Sequence, residues 1–171
     1  MGVIGAQVWI ALLSGCMSDP VRYMEPDAGP RARIRFVAQT AYPTDVRAYG
    51  NPECTVEDLK VASLGEHIIP QTGWGRSTGI PLGEAYQKSA TTEVYIRAGR
   101  PFPIRFSSPQ PVSCVVSASF DPVENAMYEA VFILERKSCR FEMYRIAWGE
   151  GEAPRKIKEP ARRLAYCTVT R

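Results

Sequence analysis

A single histidine, His67, serves the whole chain of 171 residues. No Gly-x-Ser-x-Gly elbow accompanies it, which speaks against a serine hydrolase of that type. No two cysteines have C-x-x-C spacing, so a thiolate metal site has neither the pairing nor the imidazole support it needs. Glycine-rich phosphate loops and calcium-loop patterns are absent, as are internal repeats and low-complexity tracts. The longest apolar run, residues 3–13, is too short to cross a bilayer as a helix, which takes about 20 residues. Glu93, Glu129 and Glu142 fall in alternating segments and read as outward-facing groups, not as a carboxylate pair set for hydrolysis. These absences leave no catalytic residue, metal or cofactor to name, and the expectation is a protein that is not an enzyme.

The N-terminus is the most specific stretch. Val3, Ile4, Val8, Trp9, Ile10, Leu12 and Leu13 form a run of the length of a signal-peptide h-region. It ends in Leu12-Leu13-Ser14-Gly15-Cys16, although no Lys or Arg precedes it. This pattern resembles the lipobox of bacterial lipoproteins. In that family small residues such as Ser14 and Gly15 fit the signal-peptidase groove, and the cysteine thiol, here Cys16, takes the diacylglycerol before cleavage. The resemblance implies a signal peptide over 1–15, a lipidated Cys16 (palmitate among its acyl chains) and a membrane anchor. Met17, where an Asp would retain the protein at the inner membrane, implies sorting to the outer membrane, facing the periplasm or the cell surface. Residues 16–32, with Pro20, Pro26, Gly29 and Pro30, read as a flexible tether. Residues 33–171 then form one domain, a natural size for a single core.

Four further cysteines remain: Cys54, Cys114, Cys139 and Cys167. An even number in an exported chain reads as two disulfides, with three pairings open. If residues 114, 129 and 139 lie on successive strands of one meander, Cys114 and Cys139 are two strands apart. At about 4.8 Å per strand they are separated by roughly 10 Å, beyond the ~7 Å Cα limit of a disulfide. Two pairings remain, Cys139–Cys167 with Cys54–Cys114 and Cys54–Cys139 with Cys114–Cys167, and the first is favoured.

Charge is uneven. Residues 136–171 hold 10 basic and 4 acidic side chains, and residues 1–135 hold 11 and 14. The excess gathers in Arg155, Lys156, Lys158, Arg162 and Arg163. It reads as a solvated, proline-punctuated segment in preference to a headgroup or nucleic-acid contact. No nucleic-acid partner is expected in an exported protein.

Beyond Pro30 the periodicity is that of strands. Ile34, Phe36 and Ala38 alternate with Arg33, Arg35 and Val37. Short strands also read at 45–49 and 59–63. Residues 92–97 and 102–106 look like a hairpin closed by Ala98-Gly99-Arg100-Pro101. Cys114, Val116, Ala118 and Phe120 share a face, as do Tyr128, Ala130, Phe132 and Leu134. Residues 141–146 and 164–169 complete a set of about eight strands with turn residues between them. The fold expected is all-β: an antiparallel sandwich, immunoglobulin-like or transthyretin-like, following the signal peptide.

Residues 65–89 are longer than a connection requires. Trp74 between glycines, Arg76 and Tyr86 would suit a sugar ring or a peptide side chain. The plainer reading has Trp74, Ile80 and Leu82 plugging an open end of the sandwich. The function expected is a non-catalytic accessory or ligand-binding role at the cell envelope, with a protein or glycan partner. Alternatives are a structural subunit of an envelope-spanning secretion complex and, less favoured, a glycan- or peptidoglycan-acting enzyme.

Overall fold

The computed structural model describes residues 22–51, 54, 58–65, 75–109, 113–135, 138–149 and 151–164. The lipobox, His67, Trp74, Cys167 and most of the expected last strand lie outside them. Among the described residues, ten strands form two five-stranded sheets packed face to face, a β-sandwich. They are β1 (Arg31–Gln39), β2 (Thr44–Tyr49), β3 (Asp58–Leu64), β4 (Thr91–Arg97) and β5 (Phe102–Ser108). They continue with β6 (Cys114–Phe120), β7 (Met127–Glu135), β8 (Ser138–Ala147), β9 (Arg155–Lys158) and β10 (Arg162–Leu164). The first sheet runs β4-β1-β7-β8-β9 and the second β10-β6-β5-β2-β3.

The alternation read from sequence sets the two inner faces. Ile34, Phe36, Val94, Ile96, Tyr128, Ala130, Phe132 and Met143 from the first sheet meet Val46, Ala48, Leu64, Ile104, Phe106 and Phe120 from the second. Phe106 is the hub, with ring centroids 5.9 Å from Phe36, 5.6 Å from Phe132 and 6.0 Å from Phe141. Offset and edge contacts of this kind add to the burial of apolar area.

This is the all-β sandwich expected, its strand pairings antiparallel but for β1 with β7, which run parallel with Arg33 beside Met127 through Gln39 beside Ile133. Two other expectations are corrected. β4 and β5 are not a hairpin, because β4 pairs with β1 and β5 with β2 and β6. Their connection crosses from one sheet to the other. Val94 and Ile96 therefore face Ile104 and Phe106 through the same core, an arrangement with the period of a hairpin.

The second correction is the disulfide: Cys114 bonds Cys139 with Cα atoms 6.3 Å apart. This rules out Cys139–Cys167 and Cys54–Cys114. The expectation assumed one meander, but Cys114 begins β6 in the second sheet and Cys139 lies in β8 of the first. The bond spans the sandwich where the sheets converge, instead of spanning strands within one sheet. Cys54 is also disulfide-bonded.

Strand β9 was not anticipated. Arg155-Lys156-Ile157-Lys158 is exposed throughout and has no apolar face to announce it. It pairs with β8 as an edge strand, where cations discourage further strand addition. Residues 22–30, read as tether, contact the domain: the Tyr23 amide donates to the Lys60 carbonyl at 2.9 Å, and its ring lies 6.0 Å from Phe102.

Closing a loop of 25 residues' separation, the Cys114–Cys139 bond stabilises the fold by about 3 kcal/mol in the chain-entropy account. The Cys114→Ala/Cys139→Ala variant is expected to lose that amount in denaturant unfolding. Its secondary structure should be retained.

Candidate functional site

Arg35 lies near the middle of β1 on the face turned away from the core. In register it stands beside Glu93 of β4 on one side and Glu129 of β7 on the other. One cation thus falls between two carboxylates in a single row across three strands. The row is buried: the Arg35 side chain is 1% exposed and that of Glu129 0%. The Arg35 Nε donates to Glu93 Oε1 at 2.9 Å and Nη1 to Glu129 Oε2 at 3.0 Å, while Nη2 donates to the Ile80 and Pro81 carbonyls.

Residues 75–90 supply the cover. They leave the edge of β4, where the Gly75 amide donates to Thr91 and the Glu93 amide to the Arg76 carbonyl. The Ser77 hydroxyl and the Thr78 hydroxyl and amide all donate to Glu93 Oε2, as does the Ile80 amide at 3.3 Å. Ile80 packs on Met127 and Ile146. Leu82 takes a left-handed backbone, φ 68°, and Gly83 passes so close that a Cβ there would sit 2.9 Å from Arg35 Nη2. Tyr86 then packs on Val37, Val131 and Ile133.

The Tyr86 hydroxyl donates to Glu129 Oε1 at 2.8 Å and accepts from Lys156 Nζ at 2.5 Å. Lys156 also reaches Glu129 Oε1 at 2.6 Å. Two cations and two carboxylates balance. This explains how charge can be buried here at all, since an unpaired ion would be expelled or neutralised.

Burial raises the Glu93 carboxyl, but hydrogen bonds from Thr78, Arg35 and Ile80 outweigh it and hold the group below its ordinary value. Burial lowers the Lys156 ammonium, yet its bonds to Glu129 and Tyr86 leave it raised. Tyr86 is raised, first by burial and then by Glu129, against the opposing pull of Lys156.

Of the residues singled out by sequence, the structure places Tyr86 in this network and Arg76 elsewhere. Arg76 is exposed and pairs with Glu25, its Nη2 donating at 2.8 Å. Trp74 lies outside the described residues. Ile80 covers the outer face of a sheet and does not plug an end. Glu93 and Glu129 point away from the core as expected, but they are buried, not solvated. Glu142 is the one of the three that keeps partial exposure, accepting from the Tyr144 hydroxyl at 2.6 Å. Arg35, Glu93, Glu129 and Lys156 were missed as a group. The available signal was a charged residue at an outward position in each of β1, β4 and β7.

Chemically the arrangement is a set of mutually satisfied ion pairs and hydrogen bonds. Both Glu93 oxygens and both Glu129 oxygens accept from named donors, and the donors belong to the covering segment or to the sheet. Among the described residues no group of three or more His, Cys, Asp or Glu could hold a metal ion. Apart from this network, a groove of about 550 Å³ lies at the sandwich end between the 23–27 segment and Tyr49, Arg97 and Phe102. The chain matches no protein-family model, no curated protein and no solved structure.

Arg35→Met leaves two buried carboxylates without their shared partner and should cost about 3–5 kcal/mol of stability in urea unfolding. Adding Glu93→Gln and Glu129→Gln to it should recover part of that loss. The lowered Glu93 carboxyl sets a pH dependence. A depressed acid contributes fully above its unfolded value, 4.5, and that contribution is lost as the pH falls through the lower folded value. Hydrogen exchange at the Thr78 and Ile80 amides should therefore accelerate below about pH 4.5, beyond the intrinsic trend. In Glu93→Gln this acid-dependent step should be absent.

Proposed function

We propose that the chain is a lipid-anchored protein of the bacterial cell envelope, acylated at Cys16. Its sandwich then has a non-catalytic accessory or ligand-binding role toward an envelope protein or glycan. The observation that carries the address is Leu12-Leu13-Ser14-Gly15-Cys16 directly after an apolar run. The disulfide across the sandwich between Cys114 and Cys139 supports it, since such bonds persist in oxidising compartments outside the cytoplasm.

The non-catalytic reading draws support from the way the buried carboxylates are used. Glu93 is committed to Arg35 and the 77–80 backbone, and Glu129 to Arg35, Tyr86 and Lys156. Neither keeps a free oxygen to act as a base or nucleophile. Their work is to fasten residues 76–86 over the sheet, which gives a rigid outer surface of the kind a recognition module requires.

Mass spectrometry of the membrane fraction tests the address. The wild-type chain is expected to begin at Cys16 and to carry acyl mass, and Cys16→Ala to remain unacylated and leave the membrane fraction. A wild-type chain that retains residues 1–15 without acyl mass would overturn the reading.

A further inference from the structure

Resting on acylation of Cys16, we infer that one end of the sandwich, the end bearing Met24, Arg97, Val123 and Trp148, lies directly on the lipid bilayer. Three observations converge on that end. The first is the length and direction of the leash. Residues 22 and 23 are docked on β3 through the Arg22–Lys60 bridge and the Tyr23 amide. Only the six residues 16–21 separate the lipid from Arg22, a reach of at most about 20 Å fully extended. The bridge is parallel, so the chain enters it from the Asp58 end of β3. That is also the end where β1 begins and β4 ends: Asp58 pairs with Tyr49, Ala48 pairs with Ile104 near the start of β5, residues 98–101 join that start to the end of β4, and Arg97 pairs with Arg31.

The second is the continuity of this end surface. Met24 and Arg97 line the same groove. The Gly99 amide donates to the Pro122 carbonyl at 2.9 Å, which joins the β4–β5 turn to the turn holding Val123. The Ala126 amide donates to the Val123 carbonyl, and Ala126 shares a depression with Trp148. One surface therefore runs from the anchored segment to Trp148.

The third is what the surface displays. Met24 is 84% exposed, and Val123 and Trp148 are each 57% exposed. Trp is the side chain that favours the boundary between headgroups and acyl chains, with the indole N–H left to the polar side. Arg97 and Arg100, exposed beside Met24, can reach lipid phosphates while their stems lie along the apolar residues. Asp121, Glu124 and Glu152 are also exposed at this end. The seating is thus apolar and interfacial and does not depend on net charge. With the lipid held within about 20 Å, weak contacts of this kind act at high effective concentration.

The test uses the full-length lipoprotein purified from membranes and reconstituted into vesicles of phosphatidylethanolamine and phosphatidylglycerol. The acyl chains are either plain or brominated, and bromine quenches tryptophan only at close range. The difference in emission between wild type and Trp148→Phe isolates Trp148 from Trp74, and mass spectrometry of the same sample reads acylation. Loss of the Trp148 emission in brominated vesicles, relieved by Val123→Asp, is the expected result. An acylated protein with equal Trp148 emission in both vesicles overturns the seating and leaves the anchor standing. A protein without acyl mass overturns the anchor, and this inference with it.

Discussion

Arg35 stands between Glu93 and Glu129 in a single row across β4, β1 and β7, and the cover on that sheet is organised around it. A guanidinium in a dry site has to place its donors, and three strands alone present it with only two carboxylates. The Ile80 and Pro81 carbonyls complete the set, which draws residues 76–86 over the face. The segment in turn satisfies Glu93 through Thr78 and Ile80, so sheet and cover each supply what the other lacks. Gly83 permits the approach, since a side chain there would collide with the guanidinium. Tyr86 closes the far side by bridging Glu129 and Lys156.

That cover explains the character of β7. The strand is buried on both faces from Met127 to Ile133, the usual condition of a strand with a parallel neighbour. Its inner face meets the second sheet. Its outer face meets Tyr86 and Ile80. The charged row costs desolvation, and the return is a defined geometry for a segment that has little apolar area of its own. Balanced ions of this kind contribute less to stability than to fixing one arrangement.

Much of the fold was legible in period-2 alternation. Spacing alone puts Ile34 with Phe36, and Tyr128 with Phe132, on the faces that meet in the core. Pairing was not legible. Residues 92–106 have the same alternation as a hairpin or as a crossover between sheets, because both place the same side chains in the core. The error over Cys114 and Cys139 had that same origin. Strand β9 escaped notice because exposed cations leave no hydrophobic period to read. For the candidate site, Tyr86 was found through its setting in an over-long loop, whereas Glu93 and Glu129 were read as solvated because alternation reports only which face a residue takes. It cannot report whether another segment will cover that face.

The sequence by itself determined the element type and the inner faces of the main strands. Each follows from local order, because strand period and turn residues involve neighbours in the chain. The tertiary structure alone decided the parallel β1–β7 pairing, the cross-sheet disulfide, the Arg35 network and the meeting of Met24, Val123 and Trp148 at one end. Those depend on residues distant in the chain arriving side by side. A residue's own spacing says nothing of what will stand opposite it.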